Sequence, residues 1–219
     1  MLGVTKHGVW EIIIGTIALG LVAIGLAWMH PLLGLIVLPF WLWLIAFFRD
    51  PERPISQEPG VYVSPADGLV SDITQIDNDP FVGGPAVRVG IFLSVFNVHV
   101  NRSPCAGTVK ETIYKEGKFL NALNHSGASN DNESNTIIVT DDAGQTVAVV
   151  KQIVGLIARR IICTVAAGSA VARGERIGMI KFGSRTELTI PSSLAPEVLV
   201  KTGQKVRGGI DLIARTRAA

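Results

Sequence analysis

The chain has 219 residues, with 20 Lys and Arg against 18 Asp and Glu for a net charge of +2. That balance, with a pI of about 8.6 and no arginine–aromatic stripe, is too mild for a protein whose work is to hold nucleic acid. Only 17% of the residues are charged and the mean hydropathy is +0.40, against roughly a quarter charged in soluble domains, so part of the chain avoids water.

That part is the N-terminus. Residues 10–29 read WEIIIGTIALGLVAIGLAWM, with Glu11 as the one charge, and residues 32–48 read LLGLIVLPFWLWLIAFF, with none. Each run is close to the ~20 residues that cross a bilayer as a helix, and His30-Pro31 between them is a helix breaker. The expectation is a helical membrane hairpin over residues 1–49 that either spans the bilayer or dips in from one face, with Pro39 as a candidate kink in its second arm. Trp10 and Trp28 suit interfacial anchoring, whereas Trp41 and Trp43 fall inside the second run. A cleaved signal sequence fits poorly, because the run is long and no small-residue cleavage site precedes the second one. A hairpin returns both ends to one side. Lys6 before it and Arg49 and Arg53 after it place the C-terminal part of the chain on the cytoplasmic face of the inner membrane by the positive-inside bias.

Residues 50–60 form a proline-rich charged linker, and the texture then changes. Short Val/Ile/Thr-rich runs alternate with Gly, Asn and Asp turns through residues 61–219, which predicts a mainly β domain. Strands are expected at 61–63, 69–76, 86–93, 96–100, 107–114, 135–140, 146–154, 161–165, 176–190 with a break, and 210–215. Asp141–Gln145, DDAGQ, reads as a hairpin turn, and 153–160 as either strand end or short helix. The spacing V-x-x-G-x-x-[IL] occurs at 171–177 and again at 206–212, as in barrel-sandwich folds such as lipoyl carriers. Residues 124–135, NHSGASNDNESN, are too polar to bury and read as a surface loop or a lid. Cys105 and Cys163 are far apart, lack metal-ligand spacing, and read as small buried hydrophobes in a reducing compartment.

There is no P-loop, GxGxxG, HExxH, CxxC or GxSxG. Of the four histidines, His7 and His30 belong to the apolar region. His99 sits in SVFNVHVNRSP, where strand alternation places Asn97, His99 and Asn101 on a polar face opposite Phe96, Val98 and Val100. His125 lies in the polar loop. Asp67, in SPADG, is either a turn former or the carboxylate that orients a histidine. Gly183-Ser184 interrupts an expected strand. A serine hydroxyl needs a base before it attacks, and a glycine carbonyl just before it is open to close approach, so attack by Ser184 on the Gly183 carbonyl would turn amide into ester.

SPADG at 64–68, FNVHVNRSP at 96–104, Asn132-Glu133 with Asn135, and FGSRTEL at 182–188 occur in this order and together resemble the phosphatidylserine decarboxylase proenzymes of the short form, over essentially the whole chain. The resemblance implies self-cleavage between Gly183 and Ser184. It implies a β chain of residues 1–183, an α chain of residues 184–219, and a pyruvoyl group made from Ser184 in place of pyridoxal phosphate or a metal. That group would take a serine phospholipid as a Schiff base and release carbon dioxide, yielding phosphatidylethanolamine. His99 and Asp67 would serve proton transfer, with Asn97, Arg102, Glu133 and Asn135 around the substrate and Arg49, Arg53 and Arg185 as partners for an anionic head group or ordinary surface charges. The partners expected are the bilayer, the lipid and the sister chain, with room for a homo-oligomer. Long-form members carry a second histidine three positions after the first, where this chain has Arg102. Three alternatives stay open: a decarboxylase of archaeal serine phospholipids, a membrane-anchored lipoyl-like adaptor with Met179-Ile180-Lys181 as a loose carrier motif, and a serine hydrolase using Ser184.

Overall fold

A computed structural model describes residues 3–120, 131–155, 160–181 and 184–216. The chain divides into two compact units, Met1–Glu52 and Arg53–Ala219.

In the first unit a 3-10 turn at Lys6–Gly8 leads into helix α1, Val9–Met29. His30 ends α1 in an extended conformation, and its Nδ1 accepts from Leu32 N at 3.3 Å. Pro31 comes next, with no N–H to continue the ladder. The segment Lys6–Met29 is long and apolar enough to cross a membrane, and α1 alone, at 21 residues, spans about 31 Å. The second arm is not one continuous helix. Pro31–Val37 is a 3-10 segment, and α2, Leu38–Phe47, begins just before Pro39. Proline is tolerated there because the first-turn N–H groups have no helical partner anyway. Trp41 Nε1 donates to Thr16 Oγ1 at 3.0 Å across the hairpin, which explains why this tryptophan lies within the apolar run. The open end is tied by Thr5 N to Phe48 O at 2.9 Å and Asp50 N to Gly3 O at 2.6 Å.

The second unit is mainly β. Its strands are β1 Val61–Val63, β2 Gly68–Asp79, β3 Gly84–Leu93, β4 Val100–Arg102, β5 Gly107–Lys115, β6 Ser134–Thr140, β7 Thr146–Val154, β8 Arg160–Cys163, β9 Ala170–Val171, β10 Arg176–Lys181, β11 Ser184–Pro191, β12 Glu197–Val198, β13 Lys205–Val206 and β14 Leu212–Arg215. One sheet runs β13-β2-β3-β11-β7-β6-β5-β9, and two smaller sheets run β1-β14-β12 and β4-β10-β8. β11 is buried at every position and lies between β3 and β7. Ile91, Leu93, Ile137, Val150, Leu188 and Ile190 form part of one core, each buried aliphatic side chain stabilising by about 1.5–3 kcal/mol. The expected hairpin between β6 and β7 is present: Gln145 N bonds Asp141 Oδ1 at 2.8 Å, and Gly144 takes a φ of 77°.

The short V-x-x-G spacing proves to be half of a larger repeat. Ser64-Pro65-Ala66-Asp67-Gly68 and Ser103-Pro104-Cys105-Ala106-Gly107 face each other, with Val63 N donating to Pro104 O and Arg102 N to Pro65 O, both at 2.9 Å. Each serine hydroxyl caps its own turn, Ser64 on Ala66 O and Ser103 on Cys105 O, both at 2.7 Å. The second motif is tied in the same way: Gly209 N bonds Ser64 O at 2.7 Å, and Gly174 N bonds Ser103 O at 2.8 Å. Gly174 and Gly209 have φ of 76° and 77°, the left-handed region that favours glycine, and a Cβ on either would meet Ile55.

Two expectations are corrected. Residues 96–99 are not a strand: Asn97 N bonds Ser94 O at 3.0 Å in a turn, and pairing starts at Val100. Arg53 and Arg185 are neither surface charges nor available to a head group, because both side chains are buried in ion pairs. Of the segment 153–160, Ile153 and Val154 end β7 and Arg160 begins β8; the residues between 155 and 160 lie outside the described part.

Candidate active site

Ser184 opens β11, opposite Leu93 on β3 and Val154 on β7. It is fully buried, and its Oγ makes no hydrogen bond among the described residues. A buried hydroxyl without a partner costs roughly 1–3 kcal/mol, so it marks a place where something other than stability is served. Lys181 ends a strand in the β4-β10-β8 sheet and Ser184 begins one in the eight-stranded sheet. The break expected at Gly183-Ser184 is thus a change of sheet. Gly183 itself, like His125, lies outside the described residues.

His99 precedes β4 and is fully buried, not on a solvated face. Its carbonyl accepts from Ile180 N at 3.3 Å, which ties it to the strand leading into the Gly183-Ser184 bond. Its Nδ1 lies 3.0 Å from Asn97 O. A carbonyl only accepts, so Nδ1 carries a hydrogen, which in the neutral ring leaves the lone pair on Nε2. Asn97 is held in its turn, with Oδ1 accepting from Ser94 N at 2.9 Å and Ser94 Oγ at 2.7 Å.

Asp67 is not bonded to a histidine among the described contacts. Arg53 grips both of its oxygens, Nη1 at 2.5 Å and Nη2 at 2.9 Å, and Gly208 N donates to Oδ1 at 2.7 Å. The repeat breaks here, since the matching position in the second copy is Ala106. Asp67 also borders a cleft of about 750 Å³ whose wall includes Phe96, Asn97, Lys205 and Arg207. Arg102 is buried and donates to Gly174 O at 2.9 Å, bracing the second glycine turn. Glu133 accepts from the Tyr114 hydroxyl, which raises that phenol above its ordinary pKa.

Asn135 belongs to a feature missed by motif reading. Its Nδ2 donates to Gln152 Oε1 at 3.0 Å, Gln152 Nε2 donates to Asn101 Oδ1 at 2.9 Å, and Asn101 Nδ2 donates to Thr186 Oγ1 at 3.0 Å. All four residues are buried. Thr186 was within reach of the sequence, since strand alternation places it on the face of Ser184; Gln152 was not. On the opposite face Arg185 Nε bonds Glu187 Oε1 at 2.9 Å and Nη2 approaches Asp72 Oδ1 at 2.7 Å. Among the described residues no three His, Cys, Asp or Glu side chains form a group that could hold a metal ion.

Residues 40–214 match the family model for phosphatidylserine decarboxylase. A phosphatidylserine decarboxylase proenzyme of Carboxydothermus hydrogenoformans is 42% identical, the alignment covering 97% of this chain and 96% of the relative. One of Solidesulfovibrio magneticus is 48% identical over 93% of this chain and 92% of the relative, and one of Symbiobacterium thermophilum 42% over 94% and 93%. With matches across nearly the full length of both partners, the chain belongs to the phosphatidylserine decarboxylase family, a family of decarboxylating enzymes.

Proposed function

We propose that the chain cuts itself between Gly183 and Ser184, that residue 184 becomes a pyruvoyl terminus, and that the processed protein decarboxylates phosphatidylserine to phosphatidylethanolamine. The observation that carries this reading is the Ser184 hydroxyl, buried without a partner among the described residues at the head of the central strand. In an ordinary strand that position would be filled by an apolar side chain, as at Leu188 and Ile190 of the same strand.

The residues present suit each step. His99 Nε2 takes the Ser184 proton as Oγ bonds to the Gly183 carbonyl carbon. The carbonyl electron pair moves to oxygen, and its return expels the Ser184 nitrogen, which regains a proton; amide has become ester. Removal of the Ser184 Cα proton then releases the Gly183 carboxylate and leaves dehydroalanine. Water replaces nitrogen with oxygen, and ammonia departs. When formed, the pyruvoyl group supplies an electrophilic carbonyl that accepts the electron pair left by carbon dioxide. The proximity of His99 to this centre is supported by the bond from Ile180 N to His99 O, four residues before Ser184. Asp67 borders the cleft beside Asn97 and is read as a site carboxylate fixed by Arg53.

After scission residues 184–219 stay attached, because β11 is paired on both sides with strands of the other chain. A diacyl lipid resists leaving the bilayer at ~0.8 kcal/mol per CH₂, and the N-terminal apolar helix keeps the enzyme where the lipid is, on the cytoplasmic side by the charges that flank the hairpin. The adaptor alternative loses its modification site, since Met179 and Lys181 are buried within β10.

Intact mass under denaturing conditions, together with phosphatidylethanolamine formation from phosphatidylserine vesicles, tests the reading. Two chains meeting at 183/184, the smaller with a pyruvoyl terminus, support it. A single unmodified chain in preparations that make phosphatidylethanolamine overturns it. Assaying archaeal serine phospholipids alongside decides the lipid class.

A further inference from the structure

Phe96 is 70% exposed, the most exposed large apolar side chain of the β unit among the described residues. Val98 and Val100, which share its alternation, are buried. The exposure does not come from a slack loop. Asn97 Oδ1 accepts from Ser94 N at 2.9 Å and Ser94 Oγ at 2.7 Å, and Asn97 N donates to Ser94 O at 3.0 Å. These three bonds close the turn and hold Phe96 at its tip. A single apolar side chain in water is ordinary, but this one has apolar neighbours. Lys205 of β13 stands opposite Leu69 of β2, and Leu69 stands opposite Phe92 of β3. Directly opposed residues share a sheet face, so these three side chains form one row. Together with Phe96 and Val206 they line the cleft of about 750 Å³.

The acids on the cleft wall are already engaged, Asp67 by Arg53 and Asp211 by Arg207. Lys205 is exposed and makes no ion pair among the described residues, so its charge is left to meet an anion. An exposed aromatic tip, an apolar wall and a spare cation side by side complement a phospholipid leaflet, with acyl chains beneath its phosphates. We infer that the Ser94–Asn97 turn docks the β unit on an anionic bilayer, Phe96 entering the leaflet and Lys205 meeting a lipid phosphate. The inference rests on the reading above that the protein works on a bilayer lipid, and it adds a second membrane contact to the apolar helix. Arg53 follows Phe48, the end of the apolar run, by five positions, a tether of at most about 18 Å. Docking is then intramolecular for a chain already held by its hairpin, and one ring with one cation suffices. The turn also presents Asn97 O to His99 Nδ1 at 3.0 Å, so docking carries that histidine toward the lipid surface.

The test is photocrosslinking of the full-length chain in vesicles of equal phosphatidylglycerol and phosphatidylcholine. Phe96→p-benzoylphenylalanine, irradiated and read by intact mass, should gain one phospholipid on the piece that holds residue 96. The same label at Tyr114 should gain little. Tyr114 is 56% exposed, but it lies on β5, four strands from β3 in the sheet. Lys205→Gln in the Phe96-labelled chain should lower the yield about fivefold, the worth of one basic residue near an anionic surface. Vesicles of phosphatidylcholine alone should lower it as well. Flotation verifies that each variant is on the vesicle, and thermal melting that it is folded. Equal yields at positions 96 and 114 overturn the inference. So does an adduct with a second copy of the chain in place of lipid, or a yield indifferent to both Lys205→Gln and phosphatidylglycerol. If wild type makes phosphatidylethanolamine while position 96 takes no lipid, the inference alone fails. If position 96 takes lipid while wild type makes no phosphatidylethanolamine, the docking surface stands and the proposed function fails.

Discussion

Arg53 holds Asp67 by both carboxylate oxygens, at 2.5 and 2.9 Å, with side chains only 7% and 11% exposed. Asp67 is the carboxylate that triad logic would assign to a histidine, yet its described partners are an arginine and the Gly208 amide. The arginine comes from the segment that joins the apolar hairpin to the β unit. A buried carboxylate gripped this way stays oriented, and it is costly to leave alone.

Arg53→Met should therefore destabilise the β unit by about 3–5 kcal/mol, the usual cost of stranding one member of a buried pair. The double variant Arg53→Met/Asp67→Leu should recover part of that loss. Chemical denaturation of the four members of the cycle gives the coupling directly, and additive losses would show that the pair is not a unit.

Ser184→Ala should give a single chain of about 23.4 kDa with no decarboxylation, because the attacking atom is gone. It should be at least as stable as unprocessed wild type, since it removes a buried hydroxyl that has no partner among the described residues. Efficient cutting of this variant, seen on a denaturing gel, would refute the mechanism.

His99→Gln should slow self-cleavage by about 10²–10⁴-fold, the range for loss of a positioned base. Glutamine can still donate to Asn97 O through its amide nitrogen but presents no basic atom in place of Nε2. Rates like those of wild type for both cutting and decarboxylation would remove His99 from the site.

Cys105 should resist alkylation in the folded protein while Cys163 reacts. Burial pushes the Cys105 thiol from an ordinary 9.0 up to about 12, partly offset by Arg173. Below pH 9 the thiol is neutral in both folded and unfolded chains, and its contribution to stability is whole. As the pH rises from 9 through about 12 the unfolded chain loses the proton first, and that contribution is lost. Denaturation midpoints should fall over this window in wild type and less so in Cys105→Ala. Mass spectrometry after iodoacetamide at pH 8 reads the site of labelling.

Gly209→Ala should destabilise by more than ~1 kcal/mol, because alanine cannot take the native backbone conformation without strain. The position has a φ of 77°, and a Cβ would press on Ile55 and Arg102. Gly174→Ala should behave alike, because the two glycines occupy matching places in the repeat. A negligible change in melting temperature for either would argue against the shared turn geometry.

Much was legible in the residues themselves. The apolar run through Met29, the break at His30-Pro31, the β texture from Val61 onward and the turn at Asp141–Gln145 all stem from composition and period along the chain. So does the irregularity at Gly183-Ser184, because a glycine within a strand pattern is a local signal. The V-x-x-G spacing was visible as well, whereas the matching S-P-x-x-G segments at Ser64 and Ser103 emerged only from the reciprocal bonds between the two halves. Partnership was not legible. Asn101 meets Gln152 across 51 residues and Thr186 across 85, and Arg185 is fully buried in ion pairs rather than set on the surface. Local pattern tells a side chain which face it shares, but only sheet register tells it whom that face meets. The candidate site residues were thus named from the sequence, while the tertiary structure decided which carboxylate is clamped, which histidine nitrogen faces the Asn97 carbonyl and which amides meet.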